Sequence, residues 1–206
     1  MNARRKSTIN PLVVEMTMTA VLAALIILMT FTPIGYIPIG PVKMTLITLP
    51  VAIGSIVLGW RSGLILGSVF GLTSFYTCLG MDALGVALMG VNPFLTFVMC
   101  VVPRVLCGLL PALIYKWISA NGTRRTMLAI PVAGACVAIF NTAFFLGSML
   151  LFFSGSLSEI VGVAIDNIFV LFALFAGTNG LIEIAVNIVV GTAICKPLTL
   201  VKKRLV

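Results

Sequence analysis

Long apolar runs, separated by short polar, basic or proline-rich stretches, organise the whole chain. The runs that we interpret as membrane-spanning helices cover residues 11–31, 44–60, 61–79, 93–118, 126–153 and 177–204. A helix rises about 1.5 Å per residue, so roughly 20 residues cross the ~30 Å hydrocarbon core of a bilayer. The pattern therefore predicts six transmembrane helices.

The last apolar run carries polar side chains at regular intervals. Asn179, Glu183 and Asn187 recur at steps of four, and residues four apart share one face of a helix. A carboxylate that faces hydrocarbon is costly, so this face must point inward, toward a partner or a water-filled cavity. We therefore expect Glu183 to mark a functional site.

The stretches between the runs differ in composition. Residues 32–43 contain three prolines and two glycines, which predicts an ordered external loop. Residues 80–92 are interpreted as a second outer loop, apolar enough to act as a lid, and the polar residues 154–159 end the fifth run. Residues 159–176, with Asp166 and Asn167, are expected to form an outer helix or a re-entrant segment, because a seventh crossing would place the C-terminal basic cluster outside.

Composition and charge set the class of protein and its orientation. With 61% hydrophobic and 9% charged residues and a mean hydropathy of +1.24, the chain is an integral membrane protein. The net charge of +8 does not indicate nucleic-acid binding, because almost all of the 13 basic residues lie at helix ends. Six spans place every Lys and Arg except Lys43 and Arg104 at or near the cytoplasmic face.

These observations predict an all-α, six-transmembrane-helix bundle with both termini cytoplasmic and ordered extracellular loops. Residues 1–206 would form one transmembrane substrate-binding domain, and residues 1–10 would be a cytoplasmic basic tail. The basic N-terminus does not indicate a cleaved signal peptide, because the apolar run after it is too long and no small-residue cleavage site follows.

The residue types present argue against catalysis. The chain has no histidine and five carboxylates, so paired acids, nucleophile–histidine pairs and histidine-rich metal sites have little raw material. The five cysteines are scattered through apolar runs without a C-x-x-C pair, which is typical of small buried thiols. We therefore predict no enzyme activity, no metal and no cofactor bound by this chain.

Several polar residues of the later helices are predicted to lie at one depth. Arg104 falls roughly 16 Å below the outer start of its helix, near the bilayer midplane. The full candidate binding set is Arg104, Asn141, Glu183, Asn187, Asn92, Tyr76 and Thr142. An arginine beside amide groups suits a small anionic, hydrogen-bonding solute. A purely structural Arg104–Glu183 ion pair is the alternative, and Asn92 also suits the N-cap of the helix that begins at Pro93.

Small residues recur at four-residue steps in two of the runs. Gly63, Gly67 and Gly71 would line one face of the third helix, and Ala20 and Ala24 would do the same on the first helix. Such faces let another helix approach closely.

Five stretches carry a resemblance to a known family. They are AVLAA at residues 20–24, LITLPVAIGSIVLGWRSGLILGSVFGLTSF, NPFLTFVMCVVPRVLCGLLPALIYKW, FNTAFFLG around Asn141, and NGLIEIAVNIVVG around Glu183. In order and spacing they resemble the substrate-binding S components of energy-coupling factor (ECF) vitamin transporters. The Arg104 and Asn141 pattern is most similar to the pantothenate-type group.

The resemblance implies a vitamin pocket at the extracellular side and location in a bacterial or archaeal plasma membrane. It implies partnership with a membrane coupling (T) subunit, which Ala20 and Ala24 would face, and with two ATPase (A) subunits that hydrolyse the ATP. The chain itself has no G-x-x-x-x-G-K-[ST] loop. Folate, cobalamin, pyridoxine-like compounds and riboflavin remain alternative cargo. A stand-alone secondary carrier, with Glu183 as its protonatable group, is the alternative mechanism.

Overall fold

The computed structural model describes residues 10–39, 42–120, 123–161 and 180–205, and most of this part of the chain is helical. The first six helices are α1 (Pro11–Thr30), α2 (Thr48–Ile53), α3 (Trp60–Thr77), α4 (Ala83–Val91), α5 (Pro93–Ser119) and α6 (Thr123–Val161). The last, α7, comprises helical residues 180–186, a π-helical turn Asn187–Gly191 and Thr192–Leu205. Two short strands, β1 (Tyr36–Ile39) and β2 (Val42–Thr45), form an antiparallel hairpin.

Four of the described helices are long and apolar enough to cross a membrane. They are α1, α5, the part of α6 from Thr126 to Ile160, and the part of α7 from Gly180 to Thr199. This confirms a helical, multi-pass membrane protein. The count of six spans and the cytoplasmic position of both termini stay predictions.

Helices α1 and α5 begin where the sequence pattern places them. The side chain of Asn10 accepts a hydrogen bond from the Leu12 N–H at 3.0 Å, and Pro11 follows as the first helical residue. Asn92 likewise accepts from the backbone N–H groups of two residues of α5, at 3.1 and 3.2 Å, and Pro93 follows it. An asparagine cap followed by proline satisfies the unpaired N–H groups of a first turn.

The segment between α1 and α3 differs from the prediction. The described residues within 32–43 are non-helical, as expected, but residues 36–39 and 42–43 belong to the β1–β2 hairpin, in which Tyr36 pairs with Thr45. The following helix therefore begins at Thr48 and not at residue 44. Pro50 lies in its first turn, where no backbone N–H is needed. A π-helical turn, Gly54–Leu58, completes this short apolar helix.

The prediction of a loop at residues 80–92 is wrong, because helix α4 occupies most of it. The carboxylate of Asp82 caps this helix by accepting a hydrogen bond from the Gly85 N–H at 3.0 Å. Leu88 is fully buried and packs in a core cluster with Cys78 and Phe153. The cap and this packing stabilise a helix that is too short to be recognised by periodicity alone.

Helix α6 is also longer than predicted, since it continues through the polar residues 154–159 and ends at Val161. Phe153 and Leu157, one turn apart, are buried in the same cluster, so tertiary packing overrides the local polarity. The outer segment predicted at residues 159–176, with Asp166 and Asn167, lies outside the described residues except for the last turn of α6. Asn179 also lies outside them.

Helices α3 and α5 are in direct backbone contact along the face predicted from the glycines. A Cβ atom added at Gly67 would lie 2.5 Å from the Arg104 carbonyl oxygen, and one at Gly71 would lie 2.8 Å from the Val101 Cα. Near the N-terminal end of α3, Gly63 meets Gly108 of α5. These contacts confirm the predicted close packing of α3 and α5. They keep the α5 backbone at Arg104 against α3.

This packing predicts a difference between two identical substitutions. Gly67→Ala should lower the free energy of unfolding by about 1–3 kcal/mol, because its methyl group would overlap the α5 backbone. Gly147→Ala on α6 has open space at the same position and should be neutral or stabilising by up to about 1 kcal/mol. Thermal unfolding of both variants in detergent checks the prediction, and equal unfolding temperatures would contradict it.

Candidate functional site

Arg104 is a buried cation whose position depends on a proline in its own helix. Pro103 has no backbone N–H, so the carbonyl of Met99, four residues earlier, lacks its usual helical partner. The Arg104 Nη1 atom donates to this carbonyl at 3.1 Å. The proline thus supplies the acceptor that holds the guanidinium, and Arg104 remains only 8% exposed.

Two aromatic rings enclose the same guanidinium. Its Cζ atom lies 4.3 Å from the ring centroid of Phe145 on α6 and 5.6 Å from that of Phe70 on α3. The face of an aromatic ring attracts a cation, and the attraction grows when water is excluded. The Arg104 Nε atom is buried and has no hydrogen-bond partner in the described part of the chain.

Glu183 on α7 is the buried anion of the site. Its Oε1 atom accepts a hydrogen bond from the Asn141 Nδ2 atom of α6 at 3.3 Å, and both side chains are buried. The carboxylate also interacts with the Thr48 hydroxyl. The predicted step of four residues is confirmed for Glu183 and Asn187, which are buried on the same face of α7.

Asn187 connects α7 to α2 at the start of the π-helical turn. Its Nδ2 atom donates to the Thr48 Oγ1 atom at 3.0 Å and to the Glu183 carbonyl oxygen at 2.9 Å. A π turn inserts an extra residue into a helix and is frequent at functional sites. Thr48 was not predicted as a site residue, because nothing in the sequence distinguishes it from other threonines of apolar segments.

Arg104 and Glu183 do not form a salt bridge within the described residues, although the two charges are close enough to attract each other. Each is held by different groups: the Arg104 guanidinium by the Met99 carbonyl and two phenylalanine rings, the Glu183 carboxylate by the Asn141 amide and the Thr48 hydroxyl. The alternative of a simple ion pair, considered from sequence, is therefore wrong. The arrangement has separate positive and negative ends.

The β1–β2 hairpin lies beside the positive end. The Tyr36 side chain packs against the buried cluster that contains Ile26 and Ile47. Burial raises the pKa of Tyr36 to about 12, and the nearby Arg104 guanidinium opposes that rise. Tyr36 is therefore uncharged at neutral pH. Sequence reasoning did not select it, because the proline-rich loop gave no sign that this side chain folds inward.

Three predicted site residues have other surroundings. Asn92 uses its side-chain oxygen as the cap of α5. Tyr76 is 54% exposed, and its ring meets Phe31 edge-on at 5.5 Å. Thr142 is half-buried, next to Asn141 in α6. A binding role for these three residues stays a prediction.

Two cysteines that seemed unrelated in sequence are in contact. The Sγ atoms of Cys78 and Cys100 lie 3.6 Å apart in the buried cluster next to α4. A spacing of 22 residues carries no recognisable signal, so only the fold brings them together. Among the described residues, no group of three or more His, Cys, Asp or Glu side chains is placed to hold a metal ion.

Comparison with known proteins adds independent information. Residues 14–195 match the family described as "ECF transporter, substrate-specific component". The "Pantothenic acid transporter PanT" of Lactococcus lactis is 36% identical over 174 residues, which cover 77% of this chain and 79% of the relative. The "Pantothenate transporter PanT" of Leuconostoc mesenteroides is 27% identical over 195 residues, covering 92% and 94%.

The contacts of Asn187 predict its contribution to stability. Asn187→Ala should lower the free energy of unfolding by about 1–3 kcal/mol, because it removes the donor to Thr48 and to the Glu183 carbonyl. Val189→Ala, an exposed position in the same π turn, is the control and should change it by less than about 0.5 kcal/mol. Denaturation in detergent measures both, and an equal loss in the two variants would contradict the assigned hydrogen bonds.

Proposed function

Because the chain belongs to the family of ECF transporter substrate-specific components, we propose that it is the pantothenate-binding subunit of an ATP-driven vitamin importer. Two relatives bear names that specify pantothenate, one of them at 36% identity. The observation that carries the proposal is a buried arginine without a carboxylate partner in the described residues. Pantothenate is a small carboxylate with hydroxyl and amide groups.

The surroundings of Arg104 suit an anionic ligand. A buried guanidinium needs more acceptors than the single Met99 carbonyl provides, and its Nε atom is still unpaired in the described residues. A carboxylate from outside would satisfy this donor and balance the charge. Arg104, Asn141, Glu183 and Asn187 form the proposed binding site, while Asn92, Tyr76 and Thr142 keep their predicted role at its outer side.

The family consists of transporter components and not of enzymes, and its members act with other subunits. We propose that a T subunit and two A subunits assemble with this chain and that the A subunits hydrolyse the ATP. No ATP or other cofactor would bind to this chain. The absence of a phosphate-binding G-x-x-x-x-G-K-[ST] motif in the sequence supports this division of labour.

The exposed surface of helix α1 is suited to docking of the T subunit. Ala20 and Ala24 are exposed one turn apart, and large apolar residues such as Val21 and Leu28 are exposed on the same helix. Small residues on an exposed membrane helix permit another helix to approach closely. The proposed interface is therefore the outward side of α1 around Ala20 and Ala24.

The proposed arrangement in the membrane keeps six crossings with both termini in the cytoplasm of a prokaryotic cell. It treats α2 with its π turn as a short crossing and α3 as another, in addition to the four long apolar helices. Arg61, whose guanidinium stacks 5.5 Å from the Trp60 ring, would mark the inner interface between them. Residues 1–206 would form one substrate-binding domain.

One prediction of the proposed function concerns ligand affinity. Arg104→Ala should weaken pantothenate binding at least tenfold, a loss of about 1.4 kcal/mol or more, because it removes the charge that pairs with the carboxylate. Arg61→Ala, which removes an arginine from the proposed inner interface, should leave affinity unchanged. Isothermal titration calorimetry of the detergent-purified subunit measures both, and unchanged affinity in the Arg104 variant would remove this residue from the site.

Another prediction of the proposed function separates binding from transport. Ala20→Trp should leave pantothenate binding intact and abolish uptake in cells that express all the subunits, because a bulky ring would prevent the close approach of the T subunit. Leu25→Trp, at an exposed apolar position on another side of α1, is the matched control and should retain uptake. Normal uptake by the Ala20 variant would refute this docking surface.

A further inference from the structure

The two asparagine amides at Glu183 have orientations that chemistry fixes. The Nδ2 atom of Asn187 faces a backbone carbonyl, and that of Asn141 faces the carboxylate. A carbonyl or an ionised carboxylate only accepts hydrogen bonds, so the amide nitrogen must face it in each case. The two Oδ1 atoms therefore point to other surroundings as acceptors.

Those two acceptors have no donor. The Oδ1 atoms of Asn141 and Asn187 are buried and have no hydrogen-bond partner within the residues that the structure describes. The neighbouring Thr48 hydroxyl does not serve them, since it accepts from Asn187 and its single hydrogen is directed to the Thr45 carbonyl, at 3.2 Å, or to the Glu183 carboxylate. Buried polar groups in native proteins are nearly always paired, so this end of the site calls for donors from a ligand.

The opposite requirement holds at Arg104. Its unpaired Nε atom is a donor, and the surrounding Phe70 and Phe145 rings offer no oxygen acceptor. One end of the site thus lacks acceptors and the other lacks donors. A single ligand satisfies both only if it carries an anionic acceptor group at one end and hydrogen-bond donors at the other.

We propose that the ligand binds in one orientation, with its carboxylate at Arg104 and its hydroxyl groups at the acceptor end formed by Glu183, Asn141 and Asn187. This inference rests on the proposed function and adds the ligand's direction and the groups that select it. Pantothenate has the required polarity, since its carboxylate and its two hydroxyl groups lie at opposite ends of the molecule. A carboxylic acid without hydroxyl groups would leave the acceptor end unsatisfied.

The orientation is tested by measuring the affinity of two variants for each of three ligands. The ligands are pantothenate, pantothenol, in which a CH₂OH group replaces the carboxylate, and N-(3,3-dimethylbutanoyl)-β-alanine, which lacks both hydroxyl groups. The variants are Arg104→Gln and Glu183→Gln, which remove one charge each at nearly constant size. Affinities of the detergent-purified subunit are measured by calorimetry or by displacement of radiolabelled pantothenate.

We expect each variant to be sensitive to one end of the ligand. Arg104→Gln should weaken pantothenate binding at least tenfold and change pantothenol binding less than threefold. Glu183→Gln should weaken pantothenate binding about tenfold and change binding of the compound without hydroxyl groups less than threefold. The reverse pattern, or an equal loss for all three ligands, would overturn the orientation.

Two controls keep the outcomes distinct. Asn141→Ala, which removes one unpaired acceptor without changing a charge, should reproduce the selective effect of Glu183→Gln if that variant does not fold. If the unaltered subunit binds pantothenate but neither variant shows the expected selectivity, the orientation fails and the proposed function stands. If it binds none of the three ligands, the proposed function fails as well.

Discussion

Direct contact between the backbones of α3 and α5 is the constraint on which the site depends. In lipid, helices gain little from burying apolar surface against each other, so close packing through small residues has to hold them together. The glycines of α3 provide this contact, and Gly67 lies against the carbonyl of Arg104 itself. The segment of α5 that carries the cation is thereby fixed, and its guanidinium lies between rings of α3 and α6.

The two buried charges are stabilised separately and not by each other. A contact ion pair would neutralise both and leave a site with little net polarity. Here rings and a main-chain carbonyl stabilise the Arg104 guanidinium, while one amide and one hydroxyl contact the Glu183 carboxylate. The result is a dipolar site in a low-dielectric bundle, where electrostatic contacts with a solute are strong. This polarity is the property on which the proposed binding site rests.

The sequence was sufficient where local chemistry decides the structure. The Asn92–Pro93 pair located the start of α5, the apolar run located that of α1, and the four-residue spacing placed Glu183 and Asn187 on one face. The sequence was insufficient where contacts between residues far apart in the chain determine the structure. Helix α4 and the last turns of α6 stabilise each other through Leu88 and Leu157, and no local pattern reveals such a pair. The positions of Thr48 and Tyr36 at the site could not be predicted for the same reason, because their partners are remote in sequence.

The hydrogen bond from Arg104 to Met99 stays within a single helix, and this limits how the site can respond to motion. The positive charge is a fixed part of α5 and follows that helix as a rigid attachment. Glu183 belongs to α7, which meets α2 and α6 through its asparagine contacts. The distance between the two charged groups therefore depends on the separation of α5 and α7. A subunit that changed this separation would change its affinity for a solute with two polar ends, without rearranging any side chain.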